Sequence, residues 1–158
     1  MEKRMNYWLM KSEPDVFSID DLKTKKTSGW DGVRNYQARN YMRDNMKIGD
    51  IVFFYHSSCE VPGIAGLCKV SKLAHPDPSQ FDKKSDYFDP KATKDNPRWF
   101  MVEVEFVEKF KSVITLSQLK EKEELNSMLV VQKGSRLSIN PVTELEFQFI
   151  SKFFLGKS

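Results

Sequence analysis

The sequence predicts an α+β domain built on a mixed sheet or a small barrel. Three observations carry this expectation. Short β-patterned runs are interleaved with short helical ones, their spacing never settles into regular βαβ units, and turn residues separate successive elements. With 158 residues, 40% hydrophobic and 13% aromatic, the chain can bury one substantial core, so residues 1–158 are expected to form a single domain.

Residues 6–11 (NYWLMK) form an aromatic-rich run halted at Ser12-Glu13-Pro14, the pattern of a strand ended by a proline turn. Ser18 can cap a helix over residues 19–25, with Asp21 as a capping-box partner and Ile19 and Leu22 inward. The small residues around Trp30, Thr-Ser-Gly before it and Asp-Gly after it, are turn chemistry and place the indole in a loop. Asn35 caps the next helix, expected to run to about residue 46. Ala38, Met42 and Met46 make its inner stripe, while Arg39, Arg43 and Lys47 line a basic stripe beside it.

Residues 51–55 (IVFFY) read as a buried strand, and residues 64–70 (IAGLCKV) as its return strand, with glycines that mark a bend or a close approach. Residues 75–97 are long, polar and rich in proline, yet Phe81, Tyr87 and Phe88 favour an ordered loop packed on the body. Residues 99–110 are the clearest strand: Phe100, Val102, Val104 and Phe106 share one face, opposite Glu103 and Glu105. Thr115 or Ser117 starts a short helix through Leu119, and residues 137–139 form a strand. Residues 126–132 are apolar without a decisive period. Thr143 and Glu146 make a capping box for a last helix that presents Phe149, Ile150, Phe153 and Phe154.

Composition excludes several classes. No apolar run approaches membrane-span length, and residues 1–14 have no apolar leader core, so neither membrane insertion nor secretion is expected. The only two cysteines, Cys59 and Cys68, point to a reducing, intracellular compartment. Twenty-five basic residues are nearly balanced by 22 acidic ones, so the net charge of +3 permits a nucleic-acid partner without demanding one. The order His56-Cys59-Cys68-His75 matches no zinc spacing, and GxGxxG, P-loop and GxSxG strings are absent. Neither a metal nor a cofactor is expected.

Two chemistries remain open on residue grounds. Trp30 and Trp99 both stand at loop-to-element junctions outside the periodic apolar faces. Two indoles facing each other at about 7 Å, twice a van der Waals contact, would sandwich a flat base or hold a methyl group, each stack contributing ~1–3 kcal/mol. Lys11, Ser12, Asn35, His56 and Ser57 supply groups that would read the base edge. The competing account of Trp30 is a loop indole capping a small core, with Arg34 and Arg39 as a solvated face. The second chemistry is hydrolytic, with a lysine of lowered pKa at Lys11 activating a hydroxyl such as Ser12 and Glu13 orienting it.

Eight separated strings share one further property. KSEP (residues 11–14), WDGVRNYQARNYM (30–42), GDIVFFYHSSC (49–59), PGIAGLCKV (62–70), HPDPSQFD (75–82), YFDPK (87–91), PRW (97–99) and RLSINPV (136–142) resemble the EVE domain, a branch of the PUA-like superfamily. The resemblance runs in order along nearly the whole chain. It implies a PUA-like bent β-barrel of about five or six strands with flanking α-helices. It also implies a cavity similar to that of the YTH domain, and a protein that reads a modified base, of the 5-methylcytosine type in DNA or a modified base in RNA, flipped from its strand.

By the same resemblance, Trp30 and Trp99 line the base pocket, with Lys11, Ser12, His56, Ser57, Gly63, Ile64, Ala65 and Asn35 as its remaining wall. Arg34, Arg39 and Arg43 meet the nucleic-acid backbone. The expected protein is a non-enzymatic monomer. It is cytoplasmic and prokaryotic, since the basic tail of nuclear members is missing; a eukaryotic one would be nuclear. The alternative is a modified-nucleoside amidohydrolase similar to the ASCH group, using Lys11 and Glu13. A third possibility, a protein-binding module using residues 75–97, requires an exposed apolar patch.

Overall fold

The computed structural model describes residues 5–157, so the short extension at residues 1–4 lies outside the described residues. In chain order the elements are β1 (Tyr7–Ser12), α1 (Ile19–Lys25), β2 (Thr27–Gly29), α2 (Tyr36–Asn40) continued by a π turn (Tyr41–Asn45), β3 (Ile51–His56), β4 (Gly63–Pro76), β5 (Phe100–Thr115), α3 (Leu116–Lys120), β6 (Ile139–Val142) and α4 (Glu144–Phe153). One mixed sheet of six strands, ordered β2-β5-β4-β3-β1-β6, joins them into an α+β fold.

Period-two alternation divides the core between the two faces of this sheet. Trp8, Met10, Val52 and Phe54 face one apolar cluster, which Ile19, Leu22, Ala38 and Met42 complete from α1, α2 and the π turn. Leu9, Phe53 and Tyr55 face the other, closed by Leu119 and Ile150 from α3 and α4. β1 and β3 run parallel in unbroken register, from Tyr7 opposite Ile51 to Ser12 opposite His56. Both strands therefore deliver their C-terminal residues to the same end of the sheet.

The sheet is bent. β4 and β5, of 14 and 16 residues, pair antiparallel with four register shifts, and such bulges turn a long ribbon. The bend brings backbones close: a Cβ on Gly63 would lie 2.2 Å from the Ile114 carbonyl oxygen, and one on Gly66 2.3 Å from that of Glu108. Only glycine fits there. Among the described residues the strand ladder does not close, and β2 and β6 are its edges.

Local capping sets the helices as expected. Ser18 and Asp21, and Thr143 and Glu146, make complete capping boxes, and Thr115 with Gln118 makes a third for α3. Other details differ from expectation. Residues 27–29 are a strand, not a turn, because their pairing with Glu103–Glu105 is supplied from outside the segment. The helix after Asn35 widens into the π turn, with Ala38, Met42 and Met46 buried as the stripe predicts. β4 extends to Pro76, absorbing the start of the long loop, while β6 begins at Ile139. The stretch at residues 126–132 contains a 3-10 turn, Leu129–Val131. Phe153 is 56% exposed and not part of the inner face of α4. Among the described residues no helix is long and apolar enough to cross a membrane.

Candidate nucleic-acid interface

Trp30 follows the edge strand β2 and is fixed by its backbone, whose N–H donates to the Val102 carbonyl at 2.8 Å. Its indole, 8% exposed, packs edge-on against Phe54 at 5.4 Å between ring centres. The chain then turns at Gly32, whose φ of 78° favours glycine, and a Cβ there would sit 2.8 Å from the Tyr87 ring. This turn is locked by Asp77. The Asp77 carboxylate, fully buried, accepts from the Gly32 N–H at 2.8 Å, the Ser79 N–H and hydroxyl at 2.8 and 2.6 Å, and Arg34 Nη1 at 3.2 Å. Burial alone would push this carboxyl up, but the bonds from Ser79, Gly32 and Arg34 outweigh it and hold it below the ordinary carboxylate range.

Trp99 stands across the same loop. Its ring stacks on Tyr36 at 4.8 Å and lies 5.2 Å from the Arg34 guanidinium carbon, and its Nε1 donates to Asp89 at 2.8 Å. That bond, with one from the Lys91 N–H, holds the Asp89 carboxyl below its ordinary range. The Trp99 backbone is held by Gln80, a fully buried side chain: Oε1 accepts from the N–H groups of Arg98 and Trp99, and Nε2 donates to the carbonyls of Asp77 and Trp99. All four bonds measure 2.7–2.9 Å. Trp30 and Trp99 thus each have an aromatic partner of their own, Phe54 and Tyr36.

Two of the three arginines assigned to the backbone are committed within the protein. Arg34 donates to the carbonyls of Val33 and Tyr87, to Ser79 and to Asp77. Arg39 lies over the Tyr36 ring at 4.7 Å and donates to Asn40 and to the Arg98 carbonyl. Arg43 is exposed but pairs with the adjacent Asp44 at 2.9 Å. Asn35 uses its side-chain oxygen to cap α2 through the Ala38 N–H.

The pleat separates the other predicted residues. Ser12 and His56 share parity with Met10 and Phe54, and so lie on the Trp30 side of the sheet, where Ala65 also packs. Ser12 Oγ donates to the Phe17 carbonyl at 2.5 Å, and His56 Nε2 accepts from the Ile19 N–H at 3.1 Å. Burial holds the His56 ring below its ordinary pKa, Asp20 opposing this and Lys109 adding to it, and with Nε2 accepting from Ile19 the neutral imidazole carries its proton on Nδ1. Lys11 has the opposite parity, beside Tyr55, and with Ser57 it lines a cleft of about 600 Å³. Ile64 belongs to the cluster on that side as well. Burial lowers the Lys11 pKa and pushes the Tyr55 phenol up to about 12. Lys11 and the Ser12 hydroxyl are therefore on opposite faces, and the Lys-hydroxyl-Glu grouping of a hydrolase is not assembled by KSEP. Among the described residues no group of His, Cys, Asp and Glu could hold a metal ion.

Sequence reasoning missed Asp77, Gln80 and Asp89, which position the loop, and Tyr36, which stacks on Trp99. Asp77 and Asp89 carried a local signal, each an Asp whose carboxylate accepts from the N–H two residues on, the pattern of an Asx turn.

A bent six-stranded α+β sheet, with a tryptophan-bearing loop clamped by Asp77 just past the end of β4, has clear relatives. The EVE domain family matches residues 6–153, and the chain belongs to that family. It is 47% identical over 163 residues to human thymocyte nuclear protein 1, covering 92% of this chain and 72% of that protein. A hypothetical protein from Leishmania major superposes with a TM-score of 0.92 at 50% identity, covering 97% of this chain and 96% of the other. Human THYN1 protein, solved in complex with DNA containing 5-methylcytosine, superposes with a TM-score of 0.86 at 48% identity, covering 92% of this chain and 95% of the other. An ASCH protein from Zymomonas mobilis shares the fold alone, at a TM-score of 0.53 and 9% identity.

Proposed function

We propose that this protein is a non-enzymatic reader of a modified base in nucleic acid, with DNA carrying 5-methylcytosine as its first target. The observation that carries the reading is its 48% identity, across nearly the whole domain, to a human protein solved with such DNA. The base is accepted from a flipped position on the Trp30 side of the sheet, beside Ser12, His56 and Ala65. There the indole face offers a methyl group dispersion and π contact. The His56 Nδ1–H, for which no partner occurs among the described residues, offers a hydrogen bond to the base edge. Flipping costs a few kcal/mol and is cheapest in single strands or at mismatches. With a net charge of +3 and Arg34 and Arg39 internally bonded, backbone attraction is modest, so discrimination arises in the pocket. In this reading the chain acts as one domain and as a monomer.

The test is a fluorescence-anisotropy titration with matched oligonucleotides, modified and unmodified, single- and double-stranded, in DNA and RNA. The wild type should prefer a modified strand. Trp30→Phe, which retains a core ring, should reduce the preference by about tenfold, as loss of part of a stack worth ~1–3 kcal/mol requires. Equal affinity of the wild type for every modified and unmodified pair would refute the reading.

A further inference from the structure

The face opposite Trp30 carries a feature that base reading does not use. At the end of β1 the pleat sends Ser12 toward Trp30 and Lys11 into the cleft of about 600 Å³, within the size range of sites that hold small ligands. Lys120 from α3 and Lys133 from the segment before β6 converge on it, together with Ser57 and Ser58 from the β3–β4 loop. No Asp or Glu is among the lining residues, and none of the three lysines is in an ion pair among the described residues. In a chain whose basic and acidic residues are nearly balanced, three unpaired ammonium groups around one cavity form a local field that an anion would satisfy. Lys11 is half-buried and bears a desolvation cost that a bound anion would relieve. Ser58 adds a backbone feature, held at a φ of 52° where non-glycine residues are rare. A left-handed residue next to a right-handed one is the backbone geometry of anion-binding nests, and Ser58 supplies the left-handed half of it.

We propose that this cleft is a phosphate-binding site, occupied by a backbone phosphate of the strand whose modified base sits on the Trp30 side. The inference rests on the reader function for the source of the phosphate, but not for the site itself. The two faces meet at one strand end, where the Ser57 N–H donates to the Ser12 carbonyl at 2.9 Å. A strand crossing that end presents a base to one side and a phosphate to the other. Lys120 and Lys133 are both exposed, so a double variant, Lys120→Gln with Lys133→Gln, tests the site without disturbing the core.

The double variant should bind modified and unmodified oligonucleotides about fivefold more weakly, leave their affinity ratio unchanged, and flatten the dependence of log affinity on log salt by about 0.9 for duplex DNA, one phosphate contact. In the wild type, titration with inorganic phosphate should shift the amide signals of Ser57, Ser58 and Gly134, and the shifts should vanish in the double variant. An unchanged affinity and salt slope would overturn the strand path. Absence of phosphate-induced shifts in the wild type would overturn the site. A wild type that binds no oligonucleotide but shows the phosphate shifts would refute the reader function and leave the cleft as a site for a small phosphate ester.

Discussion

Replacing Asp77 with alanine tests the clamp that holds the Trp30 loop. The carboxylate accepts four hydrogen bonds, two of them from the backbone groups of Gly32 and Ser79, and it is fully buried. Hydrogen bonds to a charged group contribute about 1.5–3 kcal/mol each, so a simple sum would approach or exceed the whole stability of a typical domain, about 5–15 kcal/mol. The sum overcounts, since bonds sharing one acceptor are not independent. Arg34 also keeps the Tyr87 and Val33 carbonyls and Ser79 after the change. The better bound is removal of one partner of a buried ion pair, about 3–5 kcal/mol. Asp77→Ala should thus lose about 4 kcal/mol in urea unfolding followed by tryptophan fluorescence, and Asp77→Asn, which keeps one acceptor oxygen, about half of that. Because the folded carboxyl is held below its ordinary pKa, this stabilisation is complete above about pH 4 and is lost as pH falls through the folded value. The variant should therefore also lose less stability between neutral pH and pH 3 than the wild type. A loss under about 1 kcal/mol for Asp77→Ala would refute the clamp.

Gly66→Ala places a methyl 2.3 Å from the Glu108 carbonyl oxygen, a backbone atom that cannot rotate away, and should lower stability by about 2 kcal/mol or more, read as a fall in Tm. His56 should titrate below about 6.5 in an NMR pH series, since its Nε2 must stay unprotonated to accept from Ile19. The unfolded chain then binds that proton first, so stability should decline as pH drops below about 6.5; a His56 that titrates above 6.5 would show that this hydrogen bond is absent in solution.

The parts of the fold written locally were legible. Ser18 and Asp21 announce α1 because a capping box needs only residues three apart, and the same holds for Thr143 and Glu146. β2 was not legible, because three residues with no apolar face become a strand only when β5 offers its edge. Candidate residues could be named from the sequence, but not their grouping in space. KSEP reads as one wall, yet adjacent strand residues point to opposite faces, and Lys11 and Ser12 serve different sides of the sheet. Arg34 and Arg39 look like phosphate contacts in a basic string. Their partners are carbonyls of Tyr87 and Arg98, more than 50 residues away, which no local pattern reveals.

The Gln80 amide has a consequence for solubility. By offering an acceptor to the Trp99 N–H and a donor to the Trp99 carbonyl, it imitates the peptide group of a neighbouring strand. Glutamate in its place would lack the donor, and asparagine would be one methylene shorter. The approach to β5 therefore does not present an unpaired run of backbone at Trp99. Such a run would be a template for a strand from another molecule, and the Gln80 side chain covers it together with the Asp77 N–H, which also donates to the Trp99 carbonyl.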